Sequence, residues 1–119
     1  DSGGLNFGTQ HQILQDVNKR VDECAKQADL ILLIVEYDRL TDVDDHIIAT
    51  LRKTGKPIWI VANKADNSIR ANEAYQHLST GFPVYPVSAA HRKIDDLEEA
   101  VVAFLKNKFP EQKMNPEEE

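Results

Sequence analysis

The apolar run Pro57-Ile58-Trp59-Ile60-Val61-Ala62 is followed directly by the polar tetrapeptide Asn63-Lys64-Ala65-Asp66. A continuous apolar run of this length is typical of a strand that is covered on both faces of a parallel sheet. The tetrapeptide then falls at the carboxyl end of that strand, where ligands of open α/β sheets bind. The sequence therefore predicts an α/β fold with a ligand site at this end of the sheet.

The side chains of the tetrapeptide suit a guanine base. The carboxylate of Asp66 can accept two parallel hydrogen bonds, and guanine presents two donors side by side in its N1-H and 2-amino group, a pair that adenine lacks. Asn63 can bridge the base to neighbouring loops, and Lys64 can lay its aliphatic stem along the purine face with its ammonium in water. The alternative is a strand-to-helix loop that is polar only because Asn and Asp are common in turns.

Two further apolar runs predict strands, at 30–35 and 84–87. The three predicted strands alternate with four helical patterns, at about 9–28, 41–54, 71–80 and 95–109. This alternation predicts a parallel sheet with right-handed crossovers and helices on its faces. Pro86 cannot donate a backbone hydrogen bond, so the third strand is expected at the sheet edge.

Helix ends are predicted from capping residues. Thr41 is expected to cap the second helix, and Asp95 and Glu98 have the spacing of a capping box at the start of the fourth. Gly55 and Gly81 are expected to end the second and third helices.

The first predicted strand has too few neighbours. Six consecutive aliphatic residues at 30–35 indicate an interior strand, yet only one neighbour is available if the strands pair in chain order. An exposed edge of this kind is an aggregation liability. We therefore expect that strands preceding Asp1 belong to the same fold.

Composition excludes several classes of protein. A chain of 119 residues fits one domain with a real core, and its net charge of -6 does not resemble a basic nucleic-acid footprint. No apolar run approaches the length of a membrane span. We expect a cytoplasmic protein without a membrane segment and without a direct nucleic-acid site in this part.

Other chemically active side chains have simpler explanations. The single cysteine, Cys24, falls among apolar helix positions and is expected to be packed. Trp59 and Tyr85 lie in predicted strands and are expected in the core. The histidines lack metal-ligand spacing and are expected at the surface; they are His11, His46, His77 and His91.

Three loops together resemble the motifs of translation-factor-class GTPases. Asp1-Ser2-Gly3-Gly4, Asn63-Lys64-Ala65-Asp66 and Ser88-Ala89 are similar to the Asp-x-x-Gly, Asn-Lys-x-Asp and Ser-Ala motifs, in the same order. Within that class the chain resembles the first GTPase domain of the Der (EngA) family of bacterial ribosome-assembly GTPases. Segments 1–5, 28–32, 51–57 and 88–91 carry the closer likeness, which covers nearly all of the chain.

The resemblance implies a P-loop-GTPase-like domain that lacks its N-terminal strands. Residues 1–110 would be the C-terminal part of a GTPase domain, and the acidic residues 111–119 would be a linker. The intact protein would hydrolyse GTP to GDP and phosphate during assembly of the large ribosomal subunit. Its partners would be the guanine nucleotide, the large subunit or its assembly intermediates, and the missing N-terminal half of the domain.

The resemblance also assigns residues to the phosphates and the metal ion. Asp1 would hold Mg²⁺ through water, and the backbone N-H of Gly4 would bond the γ-phosphate. Leu5 follows the motif glycine, where many GTPases have a glutamine that orients the attacking water. In this family hydrolysis is often assisted by K⁺.

The same resemblance assigns residues to the base. Asn63, Lys64 and Asp66 would bind guanine, and the Ser88-Ala89 loop would complete the site, with the Ala89 N-H reaching O6 of the base.

The chain departs from the family pattern in three places. Its only Gly-Lys pair, Gly55-Lys56, is followed by Pro57 and is not a phosphate-binding loop. Glu36 stands where aspartate is usual, and Arg92-Lys93 replaces a glycine-containing turn. We therefore expect the chain to be inactive alone, and we retain as alternatives a degenerate GTPase-like scaffold and an unrelated α/β domain such as a receiver domain.

Overall fold

A computed structural model of the chain describes residues 7–110, with the side chains of residues 12, 13 and 15–110. The predictions for Asp1, Gly4 and the linker 111–119 lie outside the described residues. The elements in chain order are α1 (Phe7–Gln27), β1 (Ile31–Glu36), α2 (Asp42–Arg52), β2 (Ile58–Asn63), α3 (Ser68–Ala74), a 3₁₀ helix (Tyr75–Thr80), β3 (Val84–Pro86) and α4 (Asp95–Lys108).

The three strands form a parallel sheet in chain order, with β2 in the middle. Ile31 lies opposite Ile58, and Ile60 lies opposite Val84. Within the described residues β1 pairs with β2 alone, as the sequence predicts. Pro86 lies in the edge strand β3, where a missing N-H is tolerated. The expected fold class, a partial three-layer α/β domain, is confirmed.

Helices cover the two faces of the sheet unequally. Ile60 points to one face, has no solvent exposure and packs with Ile48 of α2 and Ala74 of α3. On the other face Trp59 contacts Tyr85, at 4.9 Å between ring centroids, and Phe104 of α4, at 5.7 Å. These aromatic contacts attach α4 to the middle and the β3 side of the sheet.

The β1 side of the face that carries α4 is uncovered by the described residues. Leu32 and Ile34 alternate with the buried Val35 along the strand and are 40% and 66% exposed. Leucine and isoleucine in a sheet are usually buried. This part of the sheet therefore lacks a packing partner in residues 7–110.

The start of α3 differs from the prediction because a local hydrogen bond overrides the apolar pattern. The helix α3 begins at Ser68, three residues before the predicted start, because the Asn67 side chain accepts from the Arg70 N-H at 2.9 Å. Its continuation as a 3₁₀ helix ends at Gly81, as expected, with φ of 90°.

The capping box predicted for α4 is wrong. Its N-cap is Ile94, which has no capping side chain. A capping box does form at α2, where Thr41 and Asp44 exchange hydrogen bonds of 3.0 Å each.

Two side chains are placed differently from the sequence prediction. Cys24 is exposed rather than packed, and it lines an open apolar pocket beside α1 and the start of β1. His77 is buried, with 3% of its surface exposed, rather than at the surface. No helix within residues 7–110 combines the length and apolarity needed to cross a bilayer.

Shortening Ile60 to alanine should destabilise the complete domain by about 2–5 kcal/mol, because the side chain is fully buried in the central strand. Val102→Ala on α4 is the control, since Val102 is 37% exposed and its truncation should cost under about 1 kcal/mol. Urea unfolding of both variants provides the measurement. Equal losses for the two would contradict the assignment of Ile60 to the core.

Candidate nucleotide-binding site

Two loops meet at the carboxyl ends of β2 and β3. The Val87 N-H donates to the carbonyl of Ala62, and the Ala65 N-H donates to the carbonyl of Val87, both at 2.9 Å. These bonds continue the pairing of the two strands into the loops that follow them. The loop 64–67 is therefore held against the segment that leads to Ser88.

The carboxylate of Asp66 has a donor on each oxygen. The Ser88 hydroxyl, which is fully buried, donates to Oδ1, and a guanidinium nitrogen of Arg70 lies 3.4 Å from Oδ2. The Ser88 hydrogen bond holds the pKa of Asp66 below its ordinary value, against the opposing effect of burial, and the nearby charges of His91, Arg70 and Lys93 lower it further. Asp66 is therefore an ionised, acceptor-only group at neutral pH.

Asn63 and Lys64 connect this loop to its neighbours on both sides. Asn63 Oδ1 accepts from the Ala89 N-H at 3.2 Å, which joins the ends of β2 and β3. Lys64 adopts a left-handed backbone conformation with φ of 69°, and its Nζ lies 3.4 Å from the Glu36 carboxylate at the end of β1. The loop at 63–66 is thus tied to the ends of both neighbouring strands.

The turn that follows Ser88 is closed by its basic residues. Ser88 and Lys93 exchange backbone hydrogen bonds of 3.1 and 2.9 Å, and Arg92 between them has φ of 56°. Glycine adopts this left-handed conformation readily, whereas arginine is strained in it. The Lys93 Nζ also donates to the Asp66 carbonyl at 3.2 Å, so the turn reaches back to the first loop.

Curated proteins with similar sequences are named GTPase Der. The protein from Geotalea daltonii is 35% identical over 111 residues, which cover 91% of this chain. The protein from Syntrophotalea carbinolica is 35% identical over 108 residues, or 88% of the chain, and that from Lactococcus lactis is 30% identical over 118 residues, or 97%. The sequence belongs to the Der family of GTPases. The chain spans about a quarter of the length of these Der relatives, at 25%, 25% and 27%.

No protein-family model matches the chain. The assignment to the Der family therefore comes from the similarity to individual Der proteins, and it agrees with the resemblance that the three loop motifs suggest.

The structure brings together four of the residues that the Der resemblance assigns to the base: Asn63, Asp66, Ser88 and Ala89. Lys64 belongs to the same loop, but its ammonium faces Glu36. The Ala89 N-H, predicted to reach O6 of guanine, donates to Asn63 in this structure. Within the described side chains no group of three His, Cys, Asp or Glu could hold a metal ion.

Three residues that contact the loops of this site are not among the site residues predicted from the sequence. Arg70 pairs with Asp66 and lies over the Tyr37 ring, with Cζ 4.9 Å from the ring centroid. His77 Nε2 makes a 2.9 Å hydrogen bond with the carbonyl of Glu36. The Asp66–Arg70 spacing of four residues is a signal that sequence reasoning could have used. The contacts of Tyr37 and His77 join residues that are distant in the chain, so no local sequence pattern predicts them.

Proposed function

We propose that this chain is the guanine-binding, C-terminal part of a GTPase domain. The observation that carries the proposal is the Asp66 carboxylate, which stands ionised at the carboxyl edge of the sheet with a donor on each side. An acceptor-only group there matches the paired donors of guanine and has no match on adenine. Asn63, Lys64, Ser88 and Ala89 form the remaining wall of the base site.

The proposed activity of the intact protein is hydrolysis of GTP to GDP and phosphate. Membership of the Der family supports it, together with the order of the three loop motifs. The proposed setting is assembly of the large ribosomal subunit in the bacterial cytoplasm, which follows from the family resemblance. Residues 1–110 would form the C-terminal part of the domain, and 111–119 an acidic linker to the next.

The phosphate end of the site would be supplied by residues outside the described range. Asp1 is proposed to hold Mg²⁺ through water, and the Gly4 N-H to bond the γ-phosphate. A bound Mg²⁺ would supply positive charge at the phosphate oxygens. K⁺ is proposed as an additional aid to hydrolysis.

The remaining strands of the domain are proposed to come from polypeptide that precedes Asp1. The support is the uncovered side of β1, where Leu32 and Ile34 are exposed and the strand has one partner within residues 7–110. The same polypeptide would bring the phosphate-binding loop, which Gly55-Lys56-Pro57 cannot provide.

A second candidate function is a GTPase-like scaffold that does not catalyse. The observation in its favour is that the only Gly-Lys pair of the chain is followed by proline. Nucleotide hydrolysis by the full-length protein separates the two candidates, because a scaffold would release no phosphate.

Competition binding to the full-length protein tests the proposal. GTP and GDP should displace a fluorescent guanine nucleotide, whereas ATP at about a hundredfold excess should not, because adenine cannot satisfy Asp66. Phosphate release is then measured with GTP. Equal displacement by ATP would contradict the guanine site, and selective binding without phosphate release would support the scaffold.

A further inference from the structure

Arg70 lies outside the Asn63–Asp66 tetrapeptide but is anchored beside its carboxylate. One guanidinium nitrogen lies 3.4 Å from Asp66 Oδ2 and 3.3 Å from the carbonyl oxygen of Lys64. The guanidinium lies over the Tyr37 ring, 4.9 Å from its centroid. The backbone of Arg70 is fixed as well, since its N-H donates to the Asn67 side chain at the start of α3. Arg70 thus has anchors at both ends of its side chain.

The two donors beside Asp66 lie on opposite oxygens of its carboxylate. The Ser88 hydroxyl bonds Oδ1, and Arg70 bonds Oδ2. Each carboxylate oxygen can accept two hydrogen bonds, so each retains one free acceptor position. Guanine needs both free positions at once, one for N1-H and one for the 2-amino group. The plane of the carboxylate therefore decides whether both bonds form.

Without Arg70 the carboxylate would be held from one side only. The last side-chain torsion of aspartate is broad, so a single hydrogen bond from Ser88 leaves the plane free to turn about that bond. A turn of the plane keeps one good bond to guanine and lengthens the other. Loss of Arg70 should therefore weaken the binding of bases that present two donors more than the binding of bases that present one.

The contact with Tyr37 explains why arginine suits this position. A guanidinium is planar and can lie on an aromatic ring while its edge donates to a carboxylate in a fixed direction, whereas a lysine ammonium has no planar face and no fixed fork of donors. Tyr37 follows Glu36 at the end of β1, and Glu36 is the residue that pairs with Lys64. The ring therefore holds Arg70 from the strand next to the candidate base site.

We propose that Arg70, which lies over the Tyr37 ring, is a positioning residue that fixes the plane of the Asp66 carboxylate and thereby sets selectivity for the paired donors of guanine. This inference rests on the proposed guanine site and adds a selectivity determinant four residues beyond the tetrapeptide.

The test compares GTP with inosine triphosphate (ITP) in the full-length protein. Inosine keeps N1-H and lacks the 2-amino group, so it needs one of the two acceptor positions. Arg70→Ala should lower GTP affinity by about threefold to tenfold, the effect of one hydrogen bond, and should lower ITP affinity less. The ratio of GTP to ITP affinity then falls. Arg70→Lys should not restore the ratio of GTP to ITP affinity, because lysine keeps the positive charge but lacks the planar guanidinium with its fixed donors.

Variants at Tyr37 test the stacking step. Tyr37→Phe keeps the ring and should leave the ratio unchanged, while Tyr37→Ala should lower it in the same direction as Arg70→Ala. The double variant Tyr37→Ala/Arg70→Ala should lower the ratio no further than Arg70→Ala alone, because the ring acts through the guanidinium. An additive loss would contradict the stacking step.

The matched control is Arg52, which also lies over an aromatic ring, with Cζ 4.7 Å from the centroid of Phe82. Arg52 donates to the Thr80 carbonyl and not to Asp66. Arg52→Ala should lower the melting temperature and leave the GTP-to-ITP ratio unchanged.

Two outcomes would overturn the inference about Arg70. A parallel loss of GTP and ITP affinity in Arg70→Ala would make the residue structural, and an unchanged ratio with unchanged affinities would leave it without a role. Binding of GTP and ATP by the wild-type protein tests the proposed guanine site independently of Arg70. A wild type that binds GTP no better than ATP would refute the proposed guanine site, whatever the variants do.

Discussion

Replacing Asp66 by asparagine should lower the affinity of the full-length protein for GTP by about tenfold or more. The substitution replaces one acceptor oxygen by an NH₂ donor, which then faces a donor of guanine. It also removes the charge that strengthens the remaining hydrogen bond. Xanthine carries a 2-oxo acceptor where guanine carries its amino group, so the same variant should gain affinity for xanthosine triphosphate relative to GTP.

Competition between the two nucleotides on wild type and variant measures this reversal. Asp38→Asn is the matched control, because Asp38 also pairs with an arginine, Arg39, at 3.2 Å and has no contact with Ser88. The control should bind both nucleotides as the wild type does. A parallel loss of both nucleotides in Asp66→Asn would mean that Asp66 is structural and that the guanine assignment is wrong.

The 119-residue chain on its own should self-associate or be marginally stable, and it should not hydrolyse GTP at a measurable rate. Within residues 7–110 one edge of β1 has no strand partner, and Leu32 and Ile34 add exposed apolar surface beside it. The chain also lacks a phosphate-binding loop. Sedimentation velocity over a range of concentrations measures association, and phosphate release measures hydrolysis.

Two substitutions test whether β1 is the site of association. Ile34→Lys puts a charge on the exposed part of the strand and should reduce self-association. Ile69→Lys is the control, since Ile69 is exposed to a similar extent, at 70% against 66% for Ile34, but lies on α3. Equal reductions of self-association by the two substitutions would mean that association depends on exposed apolar surface in general and not on β1. A monodisperse wild-type chain that melts cooperatively would contradict the prediction outright.

The sequence predicts the architecture well where aliphatic runs are continuous. Ile31–Glu36 and Ile58–Asn63 are strands within one residue of their predicted bounds, and their order follows from the alternation with helices. Thr41 and Gly81 mark helix ends as predicted, because each acts through its own backbone neighbourhood. Local chemistry of this kind is visible in a sequence.

The sequence predicts less of the site because its contacts join distant segments. It names Asp66 and Ser88 separately, yet the hydrogen bond between them depends on how two loops 22 residues apart approach each other. The contact of Arg70 with the Tyr37 ring and the burial of His77 against the end of β1 depend on the packing of α3 and the 3₁₀ helix. Apolar periodicity says nothing about such polar cross-contacts.

Pairing of strands in chain order also sets the order in which the molecule can form during synthesis. All residues that pair β1 with β2 have been made once the chain reaches Asn63, whereas the pairing of β2 with β3 needs residues 84–86. The loop at Asp66 is different, because two of its hydrogen bonds come from Ser88 and from Lys93, made 22 and 27 residues later. A nascent chain therefore contains β1 and β2 before it contains the residues that fix the Asp66 loop, so the candidate site can be completed only after both of these strands have been made.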